Sequence, residues 1–171
     1  MDPAATLALA QGMRQIAIVV RDLERTMRTW WELLRIGPWN AYTLSPDILR
    51  DMHYRGAPAR FGLRHAFAFR GELQIELVQP LEGPSIFADH LAEHGEGLHH
   101  LGIYVPDHAH AVSEFRTQGF EPLQGARGFG VNGDGAFAYF RTNHPLAAIV
   151  ELIEAPSVRR PPEMTYPEAH P

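Results

Sequence analysis

The sequence predicts an α+β protein built from two copies of one βαβββ unit, and three observations carry that prediction. The stretch Gln15-Ile16-Ala17-Ile18-Val19-Val20-Arg21-Asp22 matches His100-Leu101-Gly102-Ile103-Tyr104-Val105-Pro106-Asp107, 85 positions later, each an alternating strand ending in Val-x-Asp. Glu76-Leu77-Val78-Gln79-Pro80 is echoed 75 positions on by Glu151-Leu152-Ile153-Glu154, again a β-branched and apolar run with an acidic residue unlike its neighbours. Asp22 and Asp107 each head a helical pattern, where a carboxylate caps otherwise unpaired backbone N–H groups.

Residues 14–20 read as a buried strand. After Asp22, the apolar residues Leu23, Met27, Trp30 and Leu34 fall at helical spacing, and Gly37-Pro38 stops the helix. A strand is expected around Asn40–Leu44, then a short irregular or helical piece after Pro46. Phe61, Leu63, His65, Phe67 and Phe69 alternate on one face of the next strand, and Gly71 turns the chain into a further strand at Leu73–Val78. Pro80, Gly83, Pro84, Gly95 and Gly97 punctuate a connector holding a short helix at Ile86–Glu93. The unit then repeats, with a strand at Leu98–Val105 and a helix packing through Ala111, Val112 and Phe115 up to a left-handed cap at Gly119. Strands near Phe120–Leu123, Ala136–Arg141 and Ala148–Ile153 complete it. The five glycines from Gly125 to Gly135 lack the spacing of a phosphate-cradling loop and read as a connection between strands. Pro156, Pro161, Pro162, Pro167 and Pro171 make the last segment an extended tail outside helix and sheet, free to wrap a neighbouring subunit. The chain thus divides into an N-terminal tail (1–12), a first module (13–80), a connector (81–96), a second module (97–156) and a Pro-rich tail (157–171).

With 171 residues and 45% hydrophobic content, the chain can bury one substantial core. A net charge of −5 with scattered basic residues leaves no electrostatic footprint for nucleic acid. The absence of cysteine excludes disulfides and thiolate ligands, so any metal is held by nitrogen and oxygen. No apolar run approaches the roughly 20 residues needed to span a bilayer, and Met1-Asp2-Pro3-Ala4-Ala5 lacks the positive flank of a secretory signal. A cytoplasmic protein with no membrane partner, assembled as a homodimer, is the expectation.

Alternation along the strands puts Gln15, Ala17 and Val19 on one face and Ile16, Ile18 and Val20 on the other. In the repeat His100, Gly102 and Tyr104 take the face equivalent to that of Gln15. Each module therefore packs one aliphatic face and turns a polar group followed by a small residue toward a concavity. Glu76, which shares a face with Gln74, and Glu151 sit likewise opposite apolar neighbours. A sheltered carboxylate carries a desolvation cost of several kcal/mol, two of them repel, and a divalent cation answers both. His99 faces the aliphatic layer and is the weaker candidate of the His pair, while His90, His94, His108, His110 and His170 suit surface positions.

These residues resemble the vicinal oxygen chelate superfamily, which includes glyoxalase I, methylmalonyl-CoA epimerase, extradiol dioxygenases and bleomycin-resistance proteins. The resemblance spans roughly residues 13–156 and is most specific in Gly95-Glu96-Gly97-Leu98-His99-His100-Leu101-Gly102-Ile103 and Glu76-Leu77-Val78-Gln79-Pro80-Leu81, which look like epimerase segments. It implies two paired modules forming an open, barrel-like mixed sheet around a cleft, with one divalent ion (Zn, Mn, Co or Ni) held by Gln15, Glu76, His100 and Glu151. Gln15 stands where the epimerases and many bacterial glyoxalases have His, and the set is instead similar to that of eukaryotic glyoxalase I. Val19 and Pro80 replace the glutathione-binding Arg and Asn of that enzyme, which speaks against glutathione. Arg60 aligns near an acidic proton-transfer residue of the epimerases, which speaks against an unaltered two-base mechanism. Extradiol dioxygenases need two His on Fe(II), and one of those is missing.

The expected function is a divalent-metal-dependent isomerase, epimerase or related lyase acting on a small molecule with a carbonyl or acyl group through an enediolate-like intermediate. Glu151 is the first candidate base and Glu76 the second. Trp39, Tyr42, Phe67, Phe69, Phe87 and Tyr104 are candidates for an apolar pocket or for the core, and Trp39, Arg60, Phe67 and Tyr104 are carried forward as substrate-binding candidates. Arg60, Arg64 and Arg70 share one strand face, either gripping an anion or simply facing solvent, and His65 on the opposite face reads as a core residue. The competing functions are a metal-free binding protein of the same fold and a regulatory partner with a vestigial site.

Overall fold

The computed structural model describes residues 12–142 and 147–168. Its elements run β1 (Met13–Val19), α1 (Leu23–Leu34), β2 (Trp39–Leu44), β3 (Arg50–Tyr54), β4 (Ala57–Pro58), β5 (Gly62–Arg70), β6 (Leu73–Glu82), α2 (Ile86–Glu93), β7 (Gly97–Tyr104), α3 (His108–Thr117), β8 (Pro122–Phe129), β9 (Gly135–Thr142), β10 (Ala148–Glu154) and β11 (Met164–Tyr166). All the strands join one mixed sheet in the order β11-β2-β5-β6-β1-β7-β10-β9-β8-β3-β4, curled into an open half-barrel. The two modules meet where β1 and β7 pair antiparallel. Outward from that seam each module repeats the same pattern: β1 lies parallel to β6, and β7 parallel to β10.

Helix α1 begins where the sequence signals it, with the Asp22 carboxylate accepting from Arg25 N at 3.0 Å. Leu23 and Met27 are buried in a cluster with Ala66, Ala68 and Leu77 on the convex side of the first module. Small alanines on β5 let the helix approach the sheet, while Leu34, about two turns beyond Met27, is exposed. Helix α3 mirrors this, capped by Asp107 through His110 N and packed through Ala111, Val112 and Phe115 against Val150 and Leu152. Gly119, at φ 83°, makes the left-handed turn after it. Helix α2 lies instead on the concave side, where Ile86 and Phe87 pack with Leu44, Leu63, Phe137 and Tyr139 and close one end of the half-barrel.

Three expectations change. The segment after Pro46 turns briefly and then forms β3 and β4, and β3 leaves its own module to pair with β8 of the other. Arg50-Asp51-Met52-His53-Tyr54 has no clear alternation, because its place at the sheet edge is decided by the partner strand rather than by a buried face of its own. Strand β8 continues through Gly125 and Gly128, so half of the glycine-rich stretch is strand. A Cβ at Gly125 would fall 2.6 Å from His53 Cε1, so glycine there admits the β3 side chain. The tail does enter the sheet: β11 pairs antiparallel with β2, matching Met164 to Ala41 and Tyr166 to Trp39. It wraps its own first module, as an edge strand flanked by prolines, which is where proline is tolerated. The N-terminal tail up to residue 11 and His170 lie outside the described residues.

Candidate metal centre

The strand register assembles the site. Ala17 on β1 pairs with Glu76 on one side and His100 on the other, and Gly102 on β7 pairs with Gln15 and Glu151. Directly opposed residues point to the same face, so two small residues form a floor and four polar side chains rise around it. Gln15, Glu76, His100 and Glu151 are all buried. One ligand atom from each of Glu76, His100 and Glu151 lies within 4.8 Å of the others. His100 Nε2 is 3.2 Å from Glu76 Oε2 and 3.0 Å from Glu151 Oε2. Gln15 Nε2 donates to the same two oxygens at 2.8 and 2.9 Å. A Cβ on Gly102 would sit 2.7 Å from Gln15 Cβ, so the glycine is required for Gln15 to lie over it.

Burial alone would push the Glu76 carboxyl up; hydrogen bonds from His100 and His65 outweigh it and hold the group below the usual carboxylate range. For His100, burial acts downward, but the charge and hydrogen bonds of Glu151 and Glu76 raise it to about 9. Its other ring nitrogen, Nδ1, is 2.9 Å from His99 Nδ1. Burial, reinforced by the His100 charge, pushes His99 down to about 2, so His99 is neutral and free to accept that bond. Accepting it fixes His100 with Nε2 toward the carboxylates. The strand irregularity that brings both rings inward falls between the Ala17–His100 and Ile18–Leu98 pairs. Tyr139, stacked edge-on to His100 at 5.0 Å, is kept a neutral phenol by burial and by the charges of Glu151 and Glu76.

This donor set fits a divalent cation: an imidazole nitrogen, two carboxylates and, after rotation of the terminal amide, the Gln15 carbonyl oxygen. The cluster opens into a cavity of about 480 Å³. Phe67 and Tyr104 line it, as do Tyr42, Phe129 and Phe137. Two sequence candidates lie elsewhere. Trp39 is a fully buried core residue with its ring edge-on to Trp30, because its strand position faces α1. Arg60 is exposed outside the cavity, just before β5 begins. Of its neighbours in the arginine row, Arg64 pairs with Glu24 of α1 at 2.8 Å, and Arg70 is exposed. Phe87 packs behind the histidines and Phe69 is exposed.

His65 is the neighbour of the cluster that residue-by-residue reading undervalues. It lines the cavity, and its Nδ1 lies 2.9 Å from Glu76 Oε1, the oxygen not shared with His100. The available signal was its alternation with Phe67, since Phe67 pairs across the sheet with Glu76 and both therefore face the cleft. Arg159 and Arg160, from the tail, also line the cavity.

The chain belongs to the glyoxalase/bleomycin resistance protein/dioxygenase superfamily, whose family profile matches residues 14–140. Among solved structures it is similar to methylmalonyl-CoA epimerase from Mycobacterium tuberculosis, at 22% identity and a TM-score of 0.63, over 86% of this chain and 91% of that one. A Streptomyces coelicolor methylmalonyl-CoA epimerase variant in complex with 2-nitronate-propionyl-CoA aligns at 17% identity and a TM-score of 0.62, over 84% and 96%. A hypothetical protein from Bacillus halodurans aligns at 21% identity and a TM-score of 0.57, over 86% and 96%. At these identities the likeness is one of fold. A search of the curated proteins finds no match. No helix among the described residues is long and apolar enough to cross a membrane.

Proposed function

We propose that the chain is a metal-dependent isomerase or epimerase that moves a proton at the carbon beside a substrate carbonyl. The observation that carries this reading is the convergence of Glu76, His100 and Glu151, with Gln15, at the floor of an apolar cavity. Gln15, Glu76, His100 and Glu151 would hold the ion. When bound, a divalent ion supplies Lewis-acid polarisation of the carbonyl oxygen, which makes the neighbouring C–H acidic.

The chain's own residues supply the rest. Glu151 and Glu76 come from symmetry-related strands and approach the floor from opposite sides, so either carboxylate can take the proton and the other can return it. Proton return from the opposite side inverts a stereocentre; return from the same carboxylate to a neighbouring atom isomerises. Glu151 is assigned the base. His65, bonded to Glu76 Oε1, holds the second carboxylate in place. Aromatic walls keep bulk water from competing for the proton.

The test is metal content of the purified protein beside His100→Ala and Glu151→Ala, followed by solvent deuterium exchange into small keto and acyl-thioester compounds. About one divalent ion per chain, lost in both variants, and exchange that needs the ion are expected. A chain that takes up no Zn²⁺, Mn²⁺, Co²⁺ or Ni²⁺ from excess sinks the enzyme and leaves a ligand-binding protein of the same fold.

A further inference from the structure

One wall of the cavity comes from neither repeat. Residues 155–163 cross from the end of β10 toward β2 and are pinned at both ends. On the side of the second module, Val131 N donates to Val158 O at 2.9 Å, Ser157 N to Asp134 Oδ2 at 3.1 Å and Arg160 Nε to Gly130 O at 3.2 Å. On the side of the first, Glu163 N donates to Ala41 O at 2.9 Å, and the Glu163 carboxylate accepts from Thr43 N at 3.0 Å and Thr43 Oγ1 at 2.8 Å. Arg159 lies between these anchors.

Its guanidinium carbon stands 5.8 Å from the centroid of Phe67, the register partner of Glu76, and its charge acts on the Tyr104 phenol, which shares the cleft face of β7 with His100. Arg25, Arg55, Arg64, Arg116 and Arg127 each have a carboxylate within ion-pair distance; Arg159 and Arg160, which both line the cavity, have none among the described residues, and Arg160 is already held by Gly130 O. A cation without a counter-ion thus faces a cavity whose floor carries two carboxylates and whose walls are apolar. This cation stands on the Phe67 and Tyr104 side of the cavity.

We propose that Arg159 is the receptor for a carboxylate that the substrate carries apart from its reacting carbonyl, so that the ligand is a small carboxylic acid with an apolar body. The position of the reacting carbonyl rests on the proposed function above; the carboxylate subsite does not. An acid entering the cavity is repelled by Glu76 and Glu151 and attracted by Arg159, where the planar guanidinium offers two parallel donors. The body lies against Tyr42, Phe129 and Phe137, and about 480 Å³ is toward the lower end of ligand-cavity sizes.

The experiment compares hexanoate with hexanamide, two ligands of one shape that differ in charge, by calorimetric titration of the full chain without added metal. The wild type is expected to prefer hexanoate by about tenfold, the scale of one charge-assisted hydrogen-bonded pair. Arg159→Gln removes the preference, and Arg159→Lys keeps part of it, because the charge remains without the fork. Three results overturn the proposal: no saturable binding of hexanoate, equal binding of the two ligands by the wild type, or a preference that survives in Arg159→Gln. Equal weakening of both ligands in Arg159→Gln assigns the residue a wall role only and overturns it as well. Because no metal takes part, a failed metal centre leaves this outcome unaffected, and a failed carboxylate subsite leaves the metal measurement unaffected.

Discussion

Gly102 is the residue on which the geometry of the floor most directly turns. A methyl group there would meet Gln15 Cβ at 2.7 Å and Cδ at 3.0 Å, so Gly102→Ala has to displace the amide from the cluster. The expected outcome is a folded protein whose divalent-metal affinity falls by about 10- to 100-fold, measured by competition with a chromogenic chelator. Proton linkage at His100 gives a second prediction. Its value rises from 6.5 unfolded to about 9 folded, so without metal this group's stabilisation is fully present below pH 6.5 and is lost as the pH climbs through 9. Urea midpoints of metal-free protein should therefore fall across that window. Metal binding runs the other way, because a ligating imidazole has to be free of its Nε2 proton, so affinity should weaken as the pH drops. Opposite slopes for the two forms, measured on one preparation, check both signs.

Among the elements, β3 and the strap with β11 each leave the module that precedes them and complete the edge of the other. Glu163 is the hinge of the second exchange, since its carboxylate holds both the backbone and the hydroxyl of Thr43. Glu163→Ala should cost about 1–2 kcal/mol, and the amides of Met164–Tyr166 should exchange with solvent faster than those of β6. Unchanged protection of β11 would mean that the strand pairing with β2 suffices without the side chain. Neither exchange shows in the periodicity of the segments involved. The pattern 50–58 is mostly polar, and the prolines of the tail signal departure from regular structure, although an edge strand three residues long tolerates them.

For the whole molecule, the cluster joins all four central strands, β6, β1, β7 and β10, at the seam between modules. An ion bound there should stabilise the folded state as one unit. At a free concentration of 100 times its dissociation constant the gain is about 2.7 kcal/mol. For a chain of this length that corresponds to a rise in Tm of roughly 5–10 °C, reversed by a chelator. A scan in which the metal leaves Tm unchanged would show that binding is elsewhere or does not distinguish folded from unfolded chain.

Repetition and alternation along the chain determined the two modules, the helices α1 and α3 with their aspartate caps, and the convergence of Gln15, Glu76, His100 and Glu151 on one face. These depend on local periodicity and on a duplicated pattern, both written in neighbouring residues. The pairing of His65 with Glu76, the support of His100 by His99, the burial of Trp39 beneath α1 and the exposure of Arg60 depend on strand register. The delivery of Arg159 to the cavity depends on which edge the tail meets. Register and edge pairing are set by contacts between residues tens of positions apart, whose free energy appears only once the sheet has closed around them, and so only the tertiary structure decided them.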